Sequence, residues 1–133
     1  MTKIRDLEIL PVNFRHEKEF LNNKNLNTWE SIHKLTDMQI SHLLQQKSLC
    51  TESRLKKIRA ISIFISELKI NPHHAYLLLH SGIGSIKALS YLTPHNLELK
   101  IGRFERILGV KKGEKINLSI LKDWIDKAKI ICN

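Results

Sequence analysis

The chain has 133 residues, 42% of them hydrophobic, enough for one compact core or for two small units that share one. Lys and Arg number 22 against 13 acidic residues, a net charge of +9, while 5 Gly and 3 Pro argue against disorder. This balance points to a phosphate-bearing partner, a nucleic acid or an anionic membrane surface, although an Ile-, Lys- and Asn-rich composition bias gives the same excess on a plain solvated surface. Cys50 and Cys132 make neither metal-ligand spacing nor a disulfide framework, which fits a reduced, cytoplasmic setting. Residues 1–13 lack a signal-peptide core, and no apolar run nears the ~20 residues a bilayer span needs, so a soluble chain is expected.

Within residues 1–13, Ile4, Leu7 and Leu10 have helical spacing and Pro11 stops whatever forms; the segment either docks on the body or frays. A helix is expected over Phe14–Lys24, with Phe14, Glu17, Phe20 and Leu21 on a mixed face. Asn22-Asn23-Lys24-Asn25 then breaks it, because Asn tolerates left-handed backbone better than other non-glycine residues. Thr36-Asp37-Met38-Gln39 reads as a capping box that opens a helix to about Gln46. Thr51 or Ser53 opens the longest helix, Arg54–Leu68, whose buried stripe is Leu55, Ile58, Ile61, Ile65 and Leu68. Arg54, Lys56, Lys57 and Arg59 crowd its first turns, where cations oppose the helix dipole; they read as a solvated face, with an anion-facing role as the alternative. Asn71-Pro72 caps and starts the next helix. His73 and His74 point about 100° apart around it and are expected to be exposed rather than a metal pair.

The stretch Tyr76–Leu97 carries the strongest functional signal. An apolar helix runs into Ser81-Gly82-Ile83-Gly84, and Ser85 is placed to cap a short second helix bearing Ile86, Leu89 and Leu92. Gly82 sits where the residue after a helix wants positive φ. Ile83 can turn inward and pin the bend. Gly84 is small enough for a ligand to approach the unpaired N–H groups beyond it, and Lys87 lies in the first turn. Thr93-Pro94 starts a helix to about Ile101. Gly102 is expected to interrupt it, with Arg103–Leu108 as a last turn closed by Gly109. Lys111-Lys112-Gly113 follows as a basic turn, and Asn117 or Ser119 opens a closing helix to about Ile131. Leu121, Trp124, Ile125 and Ala128 face inward there, and Lys122, Asp126 and Lys129 face water.

An internal repeat links the two halves. Sliding Phe20–Ile40 by 57 residues lays Leu21 on Leu78, Asn25 on Gly82, Leu26 on Ile83, Thr28 on Ser85, Trp29 on Ile86, Ile32 on Leu89, Leu35 on Leu92, Thr36 on Thr93 and Ile40 on Leu97. Core positions stay apolar and both cap positions are hydroxylic, but the first copy has Asn25 and Asn27 where the second has glycines.

Gly82-Ile83-Gly84 followed by a helix resembles the phosphate-gripping helix-hairpin-helix of many DNA-repair proteins. The longer run L-L-H-S-G-I-G-S-I-K-A-L-S-Y-L-T resembles the helix-hairpin-helix domains of the DUF4332 family and is similar to the C-terminal domain of the bacterial RNA polymerase alpha subunit. By the second resemblance, Gly102 would precede a helix that approaches DNA, with Arg103 forking onto a phosphate and Arg106 beside it.

These readings converge on an all-α fold of eight or nine short helices. Two pseudo-repeated helix-hairpin-helix units, residues 14–70 and 71–133, would pack on one core after an N-terminal segment, residues 1–13. The expected function is non-enzymatic, largely sequence-independent binding of nucleic acid, duplex DNA foremost, through Gly82, Ile83, Gly84, Ser85, Lys87, Gly102, Arg103, Arg106, Lys111 and Lys112. The rival is a protein–protein adaptor or regulatory subunit that uses the tandem hairpins as its surface. No carboxylate cluster, nucleophile–base pair or Walker-type loop appears, so neither catalysis, metal nor cofactor is expected.

Overall fold

The computed structural model describes residues 14–44, 50–108 and 116–132, with only the backbone described over 104–108. Among the described residues there are eight α-helices and no strand: α1 Arg15–Asn23, α2 Trp29–His33, α3 Asp37–Leu43, α4 Glu52–Leu68, α5 Pro72–His80, α6 Ile86–Ser90, α7 Pro94–Leu108 and α8 Leu118–Cys132. The fold is all-α. Expectations for residues 1–13, for the turn at Gly109 and for Lys111 and Lys112 lie outside the described residues.

The helix starts follow from their caps. Thr36 Oγ1 accepts the Gln39 N–H while the Gln39 side chain accepts the Thr36 N–H, the expected capping box. Thr51 caps α4, Asn71 caps α5 ahead of Pro72, Ser85 caps α6, Thr93 accepts the Asn96 N–H and Asn117 accepts the Ile120 N–H. Such a cap contributes about 1 kcal/mol, which matters for helices as short as α2 and α6.

Helix α4 is the centre of the molecule, packing against α2, α3, α5 and α8. Its buried side chains are Leu55, Ile58, Ile61, Ser62, Phe64 and Leu68, a broader face than the expected stripe, with Ile65 only half-buried. Neighbours on several sides explain the width: a helix covered from more than one direction buries more than a single stripe. Arg59 belongs to this packing rather than to a solvated face. It donates to the Leu35 carbonyl at 3.1 Å and pairs with Asp37 at 2.6 Å, tying α4 to the α2–α3 junction. At the start of the element, buried Glu17 of α1 accepts the Thr51 N–H at 3.0 Å.

Helix α8 meets α6, α7 and α4, and buries Leu121, Trp124, Ile125 and Ala128 as expected. Trp124 is a core residue. The ring of His74 lies 5.2 Å from it, so His74 is half-buried, contrary to the expectation of exposure, while His73 is exposed.

One expected break does not occur. Gly102 lies inside α7, which runs unbroken from Pro94 to Leu108. A mid-helix glycine costs about 1 kcal/mol against alanine but leaves the hydrogen-bond ladder intact, and α7 is held by its packing on α5 and α8. Arg103 is therefore an interior helical residue, without the free N–H groups of a helix start.

The α1–α2 and α5–α6 turns share one pattern of bonds at a 57-residue offset. Asn25 N–H donates to Asn22 at 3.2 Å and Leu26 N–H to Leu21 at 2.8 Å; Gly82 donates to Leu79 at 3.2 Å and Ile83 to Leu78 at 3.1 Å. Both are Schellman closures around a left-handed residue, Asn25 at φ 59° and Gly82 at φ 97°. The next bonds also correspond, Ile32 to Thr28 with Leu89 to Ser85, and Ile40 to Thr36 with Leu97 to Thr93. Each short helix that follows its turn packs on a long one, α2 on α4 and α6 on α8.

Candidate nucleic-acid interface

The α5–α6 turn has a buried anchor and an exposed rim. Ile83 is buried, held by its bond to Leu78, and Gly82, Gly84, Ser85 and Lys87 are exposed. A side chain at Gly82 would be strained by the positive φ. Gly84 carries no such φ, and a Cβ there, as at Gly82, would meet no atom within 4 Å beyond its chain neighbours. Its smallness answers no packing need within the chain.

The two turns diverge in how they treat their cap N–H groups. In the first, Ser31 stands at the third helical position; its Oγ accepts the Thr28 N–H at 3.3 Å and Thr28 Oγ1 accepts the Ser31 N–H at 3.1 Å. In the second, the corresponding residue is Ala88. Ser85 Oγ still accepts the Ala88 N–H at 3.0 Å, but alanine has no acceptor to return. Among the described residues, nothing accepts the N–H of Gly84 or Ser85, and both residues are exposed. Two adjacent donors are thereby left for water or a ligand.

Gly84 opens on an uncovered cavity of about 470 Å³ lined also by Glu52, Ser53, Lys56, Lys57, Ala60 and Leu79. Helix α4 thus brings two lysines to the glycine turn. Glu52 pairs with Lys56 at 3.6 Å, which leaves Lys57 as the cation without an ion pair among the described residues. The charge of Lys57 is felt at the end of α5: burial lowers the pKa of His80 from its ordinary value, and Lys57 lowers it further. The His80 ring is packed 4.1 Å from that of Tyr76 and edge-on to Phe14.

Of the residues expected at the site, Gly82, Ile83, Gly84 and Ser85 form the turn. Lys87 lies in a different cleft, with Ser90, Tyr91, Lys129 and Cys132. Arg103 is exposed on α7 and Gly102 half-buried, and the side chain of Arg106, like Lys111 and Lys112, lies outside the described residues. Ser53, Lys56 and Lys57 were not expected there; the cation cluster on the first turns of α4 was the available signal, and only the packing of α4 on α5 shows where it leads. Among the described residues, no group of three or more His, Cys, Asp or Glu could hold a metal ion.

A family model for a domain of unknown function, DUF4332, matches residues 11–131. The chain belongs to the DUF4332 family. No curated protein and no solved structure matches it. The DUF4332 match takes in both turns and the α4 lysines, so the arrangement described above is that of a family member over nearly its whole length. No helix among the described residues is long and apolar enough to cross a membrane.

Proposed function

We propose that this DUF4332 chain is a non-enzymatic nucleic-acid-binding module that grips the phosphate backbone of duplex DNA at the α5–α6 turn. In this reading α5, the turn and α6 form a helix-hairpin-helix, and the α1–α2 turn is a second copy of the same unit that serves as scaffold. The observation that carries the reading is the pair of unclaimed N–H groups at Gly84 and Ser85 beside Lys57, on a turn whose first copy closes the matching cap donor with Ser31. Backbone donors and a lysine recognise phosphate without reading bases, so binding is largely independent of sequence. The net charge of +9 adds long-range attraction. Cys50 and Cys132 are not joined in a disulfide, which suits a reducing cytoplasm.

Titrating labelled duplex DNA with the protein over a range of salt tests this. Log affinity falls linearly with log salt at about −0.9 per phosphate neutralised, and Lys57→Glu weakens binding while reducing the slope. Equal affinity for heparin and DNA, unchanged by Lys57→Glu, would reduce the effect to bulk charge.

A second reading, a protein adaptor, draws on one observation in the first copy. An apolar cleft of about 400 Å³, lined by Leu26, Leu35, Met38, Gln39, His42 and Leu43, leaves Met38 82% exposed. Partner capture that survives nuclease treatment and is lost in Met38→Asp would favour it.

A further inference from the structure

The cleft between α6 and α8 is chemically unlike its counterpart in the first half of the chain. At the 57-residue offset, Lys87 and Tyr91 occupy the places of Glu30 and Lys34. Glu30 and Lys34 neutralise each other as an i, i+4 pair at 3.6 Å. In the second half the acid has become a cation and the cation an aromatic ring. Helix α8 then adds Lys129 to the same cleft, which measures about 390 Å³ and is lined by Lys87, Ser90, Tyr91, Lys129 and Cys132. Among the described residues no carboxylate lines it, and neither lysine has an ion pair. Tyr91, in the same cleft, is 76% exposed.

Two cations without an ion pair among the described residues, sharing a cleft with an open aromatic side chain, suit a ligand with alternating anionic and planar groups. A single nucleic-acid strand has that form: each base offers a π-face, and each link offers a phosphate. In a duplex the faces are already stacked on one another, so only an unpaired nucleotide can use the ring. We propose that this cleft is a base-stacking platform for single-stranded nucleic acid, with a base on Tyr91 and the adjoining phosphates on Lys87 and Lys129. The proposal rests on the nucleic-acid reading of the α5–α6 turn for its class of partner, but Tyr91 and Lys129 belong to neither the turn nor the α4 cavity.

The experiment measures affinities of the full chain for labelled oligo(dT) and for a labelled duplex, with Tyr91→Leu, Tyr91→Phe and Lys57→Glu. Loss of one stacked base weakens single-strand binding roughly 5- to 150-fold in Tyr91→Leu, while Tyr91→Phe keeps the ring and the affinity. Duplex affinity stays as in the parent for both. Cys132, exposed beside the cleft, supplies a second readout: oligo(dT) slows its alkylation in the parent chain but not in Tyr91→Leu. Unchanged oligo(dT) affinity in Tyr91→Leu overturns the platform and leaves the duplex grip standing. Parent-like duplex affinity in Lys57→Glu, with single-strand binding lost in Tyr91→Leu, overturns the grip at the turn and leaves the platform. No binding of either probe overturns both.

Discussion

The Ser31–Ala88 difference can be reversed by one atom. Ala88 is exposed at the third position of α6, so Ala88→Ser places a hydroxyl where Ser31 stands in the first turn. There Ser31 Oγ lies 3.3 Å from the Thr28 N–H, 2.9 Å from Thr28 Oγ1 and 2.8 Å from the Thr28 carbonyl. The same geometry at Ser85 would close its N–H. A new exposed hydrogen bond contributes about 0.5–1.5 kcal/mol, and serine costs a few tenths to about 0.5 kcal/mol of helix propensity against alanine. The melting temperature therefore stays level or rises slightly. Binding moves the other way, because a hydrogen bond from an N–H to a charged phosphate contributes about 1.5–3 kcal/mol, or roughly 10- to 150-fold in affinity. Anisotropy titrations of a labelled duplex at low salt measure that loss, with melting followed on the same samples. Ala88→Val, bulkier than serine but without an acceptor, is the control and binds more nearly like the parent. If serine and valine weaken binding equally, or neither does, the open Ser85 N–H is not the phosphate donor and the reasoning fails.

The two glycines of the turn separate stability from binding. Gly82→Ala, at φ 97°, costs about 1 kcal/mol or more in urea melts, whereas Gly84→Ala, with open space around the added methyl, melts like the parent yet binds duplex DNA less tightly. Burial holds His74 and His80 below their ordinary pKa, so the unfolded chain takes up protons first as the pH falls. Stability is full above about 6.5 and declines as the pH drops below it, and a chain carrying His74→Gln and His80→Gln shows a flatter melting-temperature profile between pH 8 and 5. Glu17→Ala removes the acceptor for the Thr51 N–H and costs about 1–3 kcal/mol; Glu17→Gln keeps an acceptor and costs less. Equal loss in both would mean that the acceptor is not what Glu17 contributes.

Much of the architecture was legible because it is written in local chemistry. Hydroxyl and amide caps at Thr36, Asn71, Ser85 and Thr93 act within four residues of themselves, so their pattern survives in the linear chain. The same holds for Gly82, whose φ is set by the end of its own helix. Gly102 misled for the opposite reason. A glycine permits a break without requiring one, and whether the helix continues depends on the packing of α7 against α5 and α8. The partners of the turn were hidden likewise. Lys57 precedes Gly84 by 27 residues and reaches the same cavity only because α4 packs on α5. Arg59, two residues on, looks like Lys57 in the sequence but is turned onto Leu35 and Asp37.

The asymmetry between the two turns has a direction that stability alone does not produce. Where the α1–α2 turn and its short helix close the cap donor with Ser31 and neutralise Glu30 with Lys34, the α5–α6 turn and α6 leave the donor open and place Lys87, Tyr91 and a nearby lysine in solvent. Each change gives up a small local stabilisation, a few tenths of a kcal/mol for an i, i+4 pair and up to about 1.5 kcal/mol for a hydrogen bond. The backbone bonds of the two turns are nevertheless the same, and their anchors Leu21 and Leu78 are equally buried. Of the differences between the two, Ser31 to Ala88, Glu30 to Lys87 and Lys34 to Tyr91 expose a donor, a cation and an aromatic ring, while Trp29 to Ile86 exchanges one buried residue for another. On the proposed function, a turn whose scaffold is kept while these internal partners are missing is arranged for an external one. Under that proposal the external group is one that accepts hydrogen bonds and carries negative charge, which a phosphate does and an apolar protein surface does not.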